Sequence, residues 1–134
     1  GPKNILLAIM GIIASKSNWS AEGKNVLITG ASSGIGSEMA RNFAKAGASV
    51  ALLARSRENL QAVADECKEL GSPKAEIFLC DMTDDDQIKD ATTKALGKFG
   101  RFDVLILNAG RSQGCYFEEI NNVHDINYLL KLNV

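Results

Sequence analysis

Glycines 30, 34 and 36, with Ser32 and Ser33 between the first two, are the residues whose spacing points most directly to chemistry. They lie in Thr29-Gly30-Ala31-Ser32-Ser33-Gly34-Ile35-Gly36, directly after the apolar run NVLIT. Each glycine has a mechanical use at such a junction. Gly30 lets the chain leave a strand sharply, Gly34 lets backbone approach a charged ligand, and Gly36 lets a helix lie close against the strand. Ser32, Ser33 and Ile35 complete the turn. The amides at the start of the helix then face a ligand with the positive end of the helix dipole behind them, a setting that suits a diphosphate. A lone glycine triplet also marks ordinary turns. Its place between a strand and a helix favours the ligand-binding use.

Nineteen residues past Gly36 stands Arg55, in Ala54-Arg55-Ser56-Arg57. Dinucleotide sites that take NAD usually carry an acid about 20 residues after the glycines, where it bonds the ribose 2′-hydroxyl. No acid is found here. A carboxylate would repel a 2′-phosphate, whereas a guanidinium can grip one through two charge-assisted bonds. The expected cofactor is therefore NADP(H), with Arg55 on the extra phosphate. The bland alternative for Arg55 is a solvated charge at a strand end, and Arg57 reads as a helix-surface residue.

The elements that must position these residues alternate regularly. Residues 25–29 predict a first strand, and Ile35, Met39, Ala40, Phe43 and Ala44 form an apolar stripe at helical spacing closed by Gly47. Residues 49–54 predict a second strand. Leu60, Val63, Ala64, Cys67 and Leu70 make the next helical stripe, with Gly71 as a left-handed cap. A third strand is expected over 75–80. Thr83 then reads as an N-cap, with Asp84, Asp85 and Asp86 in the first turn, where the dipole favours anions. That helix presents Ile88, Ala91, Ala95, Leu96 and Phe99. A fourth strand is expected over 103–107, and a last helix from near Asn122. Such alternation implies βαβ units and a parallel sheet covered on both faces. The expected fold class is α/β, a Rossmann-type doubly wound parallel sheet, here its first four strands with flanking helices. The expected organisation is an apolar segment and linker over 1–22, then a dinucleotide-binding half-domain over 23–134.

The bulk numbers agree with one soluble domain. The 134 residues are 46% hydrophobic and 23% charged, with a net charge of −1. No Lys/Arg-rich block is present, so the footprint of a nucleic-acid binder is missing. Cys67, Cys80 and Cys115 are far apart and the single histidine is His124, which leaves no zinc-like spacing; no metal is expected. Residues 5–14, ILLAIMGIIA, are uninterruptedly apolar. Ten helical residues reach about 15 Å, roughly half a bilayer core. A remnant of a signal anchor, a short hydrophobic hairpin with the membrane, a tag scar and a segment packed on the protein all stay open, as do an endoplasmic-reticulum membrane and a cytoplasmic location. Asn18-Trp19-Ser20 fits a glycosylation sequon that would matter only in a secretory lumen.

Taken together, TGASSGIG at 29–36 resembles the TGxxxGxG motif of classical short-chain dehydrogenases/reductases. Asn108-Ala109-Gly110 is similar to the family's NAG motif, Cys80-Asp81-Met82 follows the third strand, and Asn133 matches the asparagine of the family's fourth long helix. ARSRENL at 54–60 and LNAGRSQ at 107–113 look like the 11β-hydroxysteroid dehydrogenase branch, whose members often carry an N-terminal anchor. The resemblance implies hydride transfer between a nicotinamide and a carbonyl or alcohol of a small molecule. It implies that Asp81 meets the adenine and the Met82 backbone frames it, and that Asn108, Ala109 and Gly110 line the cofactor. Asn133 would support a water in a proton relay, and the complete protein would be a homo-oligomer.

The family's serine and Tyr-x-x-x-Lys follow its asparagine and do not occur in this sequence. Tyr128 and Lys131 are three apart rather than four and precede Asn133, and Tyr116 has no lysine four residues on. The 134-residue chain is thus expected to be inactive alone, with a bare apolar sheet edge over 104–107 that would make it marginally folded or self-associating. A non-catalytic dinucleotide-binding regulatory module and a purely structural module are the alternatives.

Overall fold

The computed structural model describes residues 20–108. Its elements are β1 (Asn25–Thr29), α1 (Gly34–Lys45), β2 (Ser49–Ala54), α2 (Arg57–Leu70), β3 (Ala75–Leu79), α3 (Asp85–Phe99) and β4 (Val104–Ile106). The four strands form one parallel sheet in the order β3-β2-β1-β4. The α/β expectation holds, and each described element falls within a residue or two of its predicted place.

Alternation along the strands divides the core in two. Val26, Ile28, Val50 and Leu52 face α1 and α2, packing with Phe43, Leu60 and Val63. Leu27, Ala51, Leu53 and Leu105 face the other way, toward α3, with Ile88, Phe99 and Phe102. Both sheet faces are therefore dry, which explains why the strands read as continuous apolar runs. Each fully buried Leu, Ile or Phe contributes about 1.5–3 kcal/mol relative to exposure. Phe99 stacks on Phe102 at 5.2 Å and meets Phe78 edge-on at 6.4 Å.

The chain runs from β1 to β2 and β3 on one side, then crosses to place β4 on the other side of β1. Helices leaving β1 and β3 thus cover opposite faces, and the topological switch point lies at the carboxyl ends of β1 and β4. Open α/β sheets bind ligands at such a switch point. The opposite rim is closed by polar contacts. Asn25 donates from its side chain to the Phe99 and Arg101 carbonyls at 3.1 and 2.9 Å, and its backbone N–H bonds Asp103 Oδ2 at 2.9 Å.

Three expectations need correction. The N-cap of α3 is Asp84 rather than Thr83, because the Asp84 carboxylate accepts the Asp86 and Gln87 amides while Thr83 is turned to Asp81. Ile35 is not part of the buried stripe of α1; it stands 56% exposed, since the first helical turn projects past the strand ends. The fourth strand is shorter than predicted, because only Val104, Leu105 and Ile106 find partners on β1. The Val104, Leu105, Ile106 and Leu107 side chains are buried, and no strand pairs with the outer edge of β4 among the described residues.

No helix of the described residues is long and apolar enough to cross a membrane. The apolar 5–14 segment and the predicted last helix lie outside them.

Candidate functional site

The site grows from the end of β1. Gly30 takes a positive φ of 63°, a conformation that turns the chain out of the strand and that side chains with a Cβ rarely adopt. Ala31 is buried, and its N–H donates to the Leu53 carbonyl at 3.2 Å, tying the turn to β2. Ser32 is half-buried, and Ser33, Gly34 and Ile35 are exposed in sequence. Ser33 is the N-cap of α1, yet its hydroxyl accepts none of the helix amides, and no acid occupies the first turn. The leading amides of a helix have no intrahelical acceptor. At α1 no side-chain cap from Ser33 meets them.

Gly36 does the opposite work. A Cβ built there would collide with the Gly30 carbonyl oxygen and lie 2.5 Å from Asn108 Nδ2. The helix can therefore sit this close to the strand only with glycine at 36. At Gly34, by contrast, φ is 58° and nothing lies within 4 Å of an added Cβ. One glycine closes the turn from behind and the other leaves it open in front, a cradle that fits a diphosphate.

Asn108 fixes this turn from β4. Its backbone N–H donates to Thr29 Oγ1 at 2.9 Å and its Nδ2 donates to the Gly30 carbonyl at 3.4 Å. The buried Thr29 hydroxyl donates in turn to the Ile106 carbonyl at 3.5 Å. Thr29 is a positioning residue that sequence reasoning quoted but gave no role. The signal was its place as the polar last residue of an apolar strand.

On the other side of the turn, the Ala54 carbonyl accepts the Cys80 N–H at 2.9 Å, which brings the ends of β2 and β3 together. Arg55 is exposed just beyond β2. Asp81 Oδ1 accepts the Thr83 backbone N–H at 2.9 Å and the Thr83 hydroxyl at 2.7 Å. These bonds, with the nearby Arg55 charge, hold the Asp81 carboxyl below its ordinary value. The Asp81 N–H donates to Gln87 Oε1 at 2.9 Å. Met82 packs partly buried against the α3 side of the core. Burial pushes the Cys67 and Cys80 thiols up to about 11, as suits small core hydrophobes. Among the described residues no group of three or more His, Cys, Asp or Glu side chains is placed to hold a metal ion.

Asp81 and Met82, Arg55, the glycine turn and Asn108 thus follow one another along a single rim, in the order of the strands that carry them. Ala109, Gly110 and Asn133 lie outside the described residues. The model of the short chain dehydrogenase family matches residues 24–134. The chain belongs to this family. It is 35% identical over 133 residues to the 11-beta-hydroxysteroid dehydrogenase-like 4A of Arabidopsis thaliana, an alignment that covers 98% of the chain and 44% of that relative. The chain spans less than half the length of the curated relatives it matches. A short-chain type dehydrogenase/reductase from Mycobacterium marinum superposes with a TM-score of 0.61 at 43% identity, over 64% of this chain and 34% of that one. L-sorbose reductase from Gluconobacter frateurii, complexed with NADPH and L-sorbose, gives a TM-score of 0.64 at 35% identity, over 66% and 34%.

Proposed function

We propose that the chain is the cofactor-binding part of an NADP(H)-dependent oxidoreductase of the short-chain type. Its substrate class is small molecules bearing a carbonyl or an alcohol. The observation that carries this is the pairing of the open cradle at Gly34 with Arg55 on the next strand end. The α1 amides and the backbone from Gly30 to Gly36, with Ser32, Ser33 and Ile35 at its mouth, hold the diphosphate. Arg55 neutralises the phosphate on the ribose. Asp81 accepts from the base amine, and Met82 frames the base. Asn108, Ala109 and Gly110 line the adjoining part of the cofactor, and Asn133 holds a water for proton relay. The bound cofactor supplies or accepts the hydride.

Similarity to a reductase complexed with NADPH supports this choice of nucleotide. So does the absence of an acid at Arg55, since a carboxylate there would repel the extra phosphate. Along the chain, residues 23–134 form the binding unit, and residues 1–22 precede it. The complete protein is a homo-oligomer.

Titration of the folded chain with NADPH and NADH, followed by nucleotide fluorescence, tests the assignment. Wild type should prefer NADPH. Arg55→Asp should weaken NADPH about 100-fold, the scale of a lost charge-assisted pair plus new repulsion, and leave NADH nearly unchanged. Folded protein that ignores both nucleotides at millimolar concentration would overturn it.

A further inference from the structure

We propose that Gln87, on the first turn of α3, is the positioning residue that aims Asp81 at the base of the bound nucleotide. This rests on the function proposed above and adds a residue to its base-binding end. Gln87 uses both ends of its amide. Its Oε1 accepts the Asp81 N–H at 2.9 Å, and its Nε2 donates to Asp84 Oδ2 at 3.2 Å. Its own backbone N–H bonds Asp84 Oδ1 at 3.2 Å. The orientation of the amide is forced, since a backbone N–H needs an acceptor and a carboxylate needs a donor. Gln87 thereby clamps the residue after β3 to the N-cap of α3.

The clamp matters because of what it leaves free on Asp81. Both Thr83 donors converge on Oδ1, and among the described residues no donor reaches Oδ2. Thr83 fixes the carboxylate from one side and Gln87 fixes its peptide from the other. Oδ2 is then an oriented acceptor on the rim beside Arg55, met by no donor of the described residues. Such an acceptor suits a base with an exocyclic amine and disfavours one with a carbonyl at the same place, where two oxygens would meet. Gln87 is exposed, six residues from Asp81, and makes no contribution to the apolar core. Its bond to Asp81 is therefore a device for holding the rim.

The experiment compares NADPH, its hypoxanthine analogue and reduced nicotinamide mononucleotide on the full chain. The analogue replaces the base amine with a carbonyl, and the mononucleotide lacks the base altogether. Wild type should bind NADPH more tightly than the hypoxanthine form. Gln87→Met keeps the length but not the acceptor. It should weaken NADPH about five- to ten-fold, the size of one net hydrogen bond, and bring the adenine-to-hypoxanthine ratio near one. Mononucleotide binding should stay unchanged. Gln87→Glu still accepts the Asp81 N–H but replaces the donor to Asp84 with a second carboxylate, so its adenine-to-hypoxanthine ratio should fall between those of wild type and Gln87→Met. An unchanged ratio in Gln87→Met, or equal weakening of all three ligands, overturns the inference while leaving NADPH binding itself intact as a finding. Wild type that binds no nucleotide removes the proposed function and this inference with it.

Discussion

Two helix N-termini of this molecule are built on opposite plans. At α3, Asp84 caps the Asp86 and Gln87 amides, and Asp85 and Asp86 place negative charge in the first turn. That terminus satisfies itself. At α1, the cap Ser33 takes none of the amides, the first turn holds no acid, and Gly34 leaves open space in front. Local stability favours the first plan, because side-chain caps are worth about 1 kcal/mol. Among the described helices, that stabilisation is given up at α1 alone. Sites where local rules are broken without a local gain are where function is expected. α2 follows the plan of α3, with Ser56 accepting the Asn59 amide and Glu58 in the first turn.

The comparison can be broken most severely at Gly36. Gly36→Ala sets a Cβ against the Gly30 carbonyl and should cost about 3 kcal/mol of stability, read by chemical denaturation, together with nucleotide binding. Converting the open terminus to the closed plan should have a smaller and more telling effect. Ser33→Asp supplies the missing cap and charge, so it should raise stability by about 0.5 kcal/mol while weakening NADPH at least ~10-fold in titration. Opening the closed terminus is the converse. Asp84→Ala should lose about 1 kcal/mol in thermal unfolding and leave the diphosphate cradle unaltered, so that reduced mononucleotide still binds as before. The smallest effect concerns pH. The Asp81 carboxyl is depressed in the folded chain by the Thr83 bonds and by Arg55, so its contribution is present above the unfolded value near ~3.9 and is lost as pH falls through the lower folded one. Thr83→Val should therefore move the Asp81 midpoint upward in a carboxyl NMR titration.

Most of the fold could be read from residue types because its determinants are local. Continuous apolar runs such as SVALLA need both sheet faces covered, and Gly47 and Gly71 mark helix ends through their positive φ. The glycine turn and Arg55 were legible for the same reason: their spacing along one βαβ unit states their position. What failed depended on competition or distance. Thr83 and Asp84 can each cap a helix, and the choice is made by Asp81, which captures Thr83 first. Ile35 belongs to the apolar stripe by type, but periodicity does not say where the sheet ends beneath it. The link from Thr29 to Asn108 joins residues 79 apart, and a polar residue ending an apolar strand does not say which partner it takes. Gln87 is not legible in the sequence, because glutamine on a helix surface is ordinary and its bonds to Asp81 and Asp84 depend on how α3 leaves β3.

Ile35 has a thermodynamic consequence. A branched aliphatic side chain more than half exposed beside polar amides presents apolar surface to water at the mouth of the turn. A molecule seated on those amides meets this side chain too and displaces that water. Association there would carry a negative heat-capacity change even though the principal contacts are ionic. Its enthalpy would grow more favourable with warming while the affinity itself shifted little.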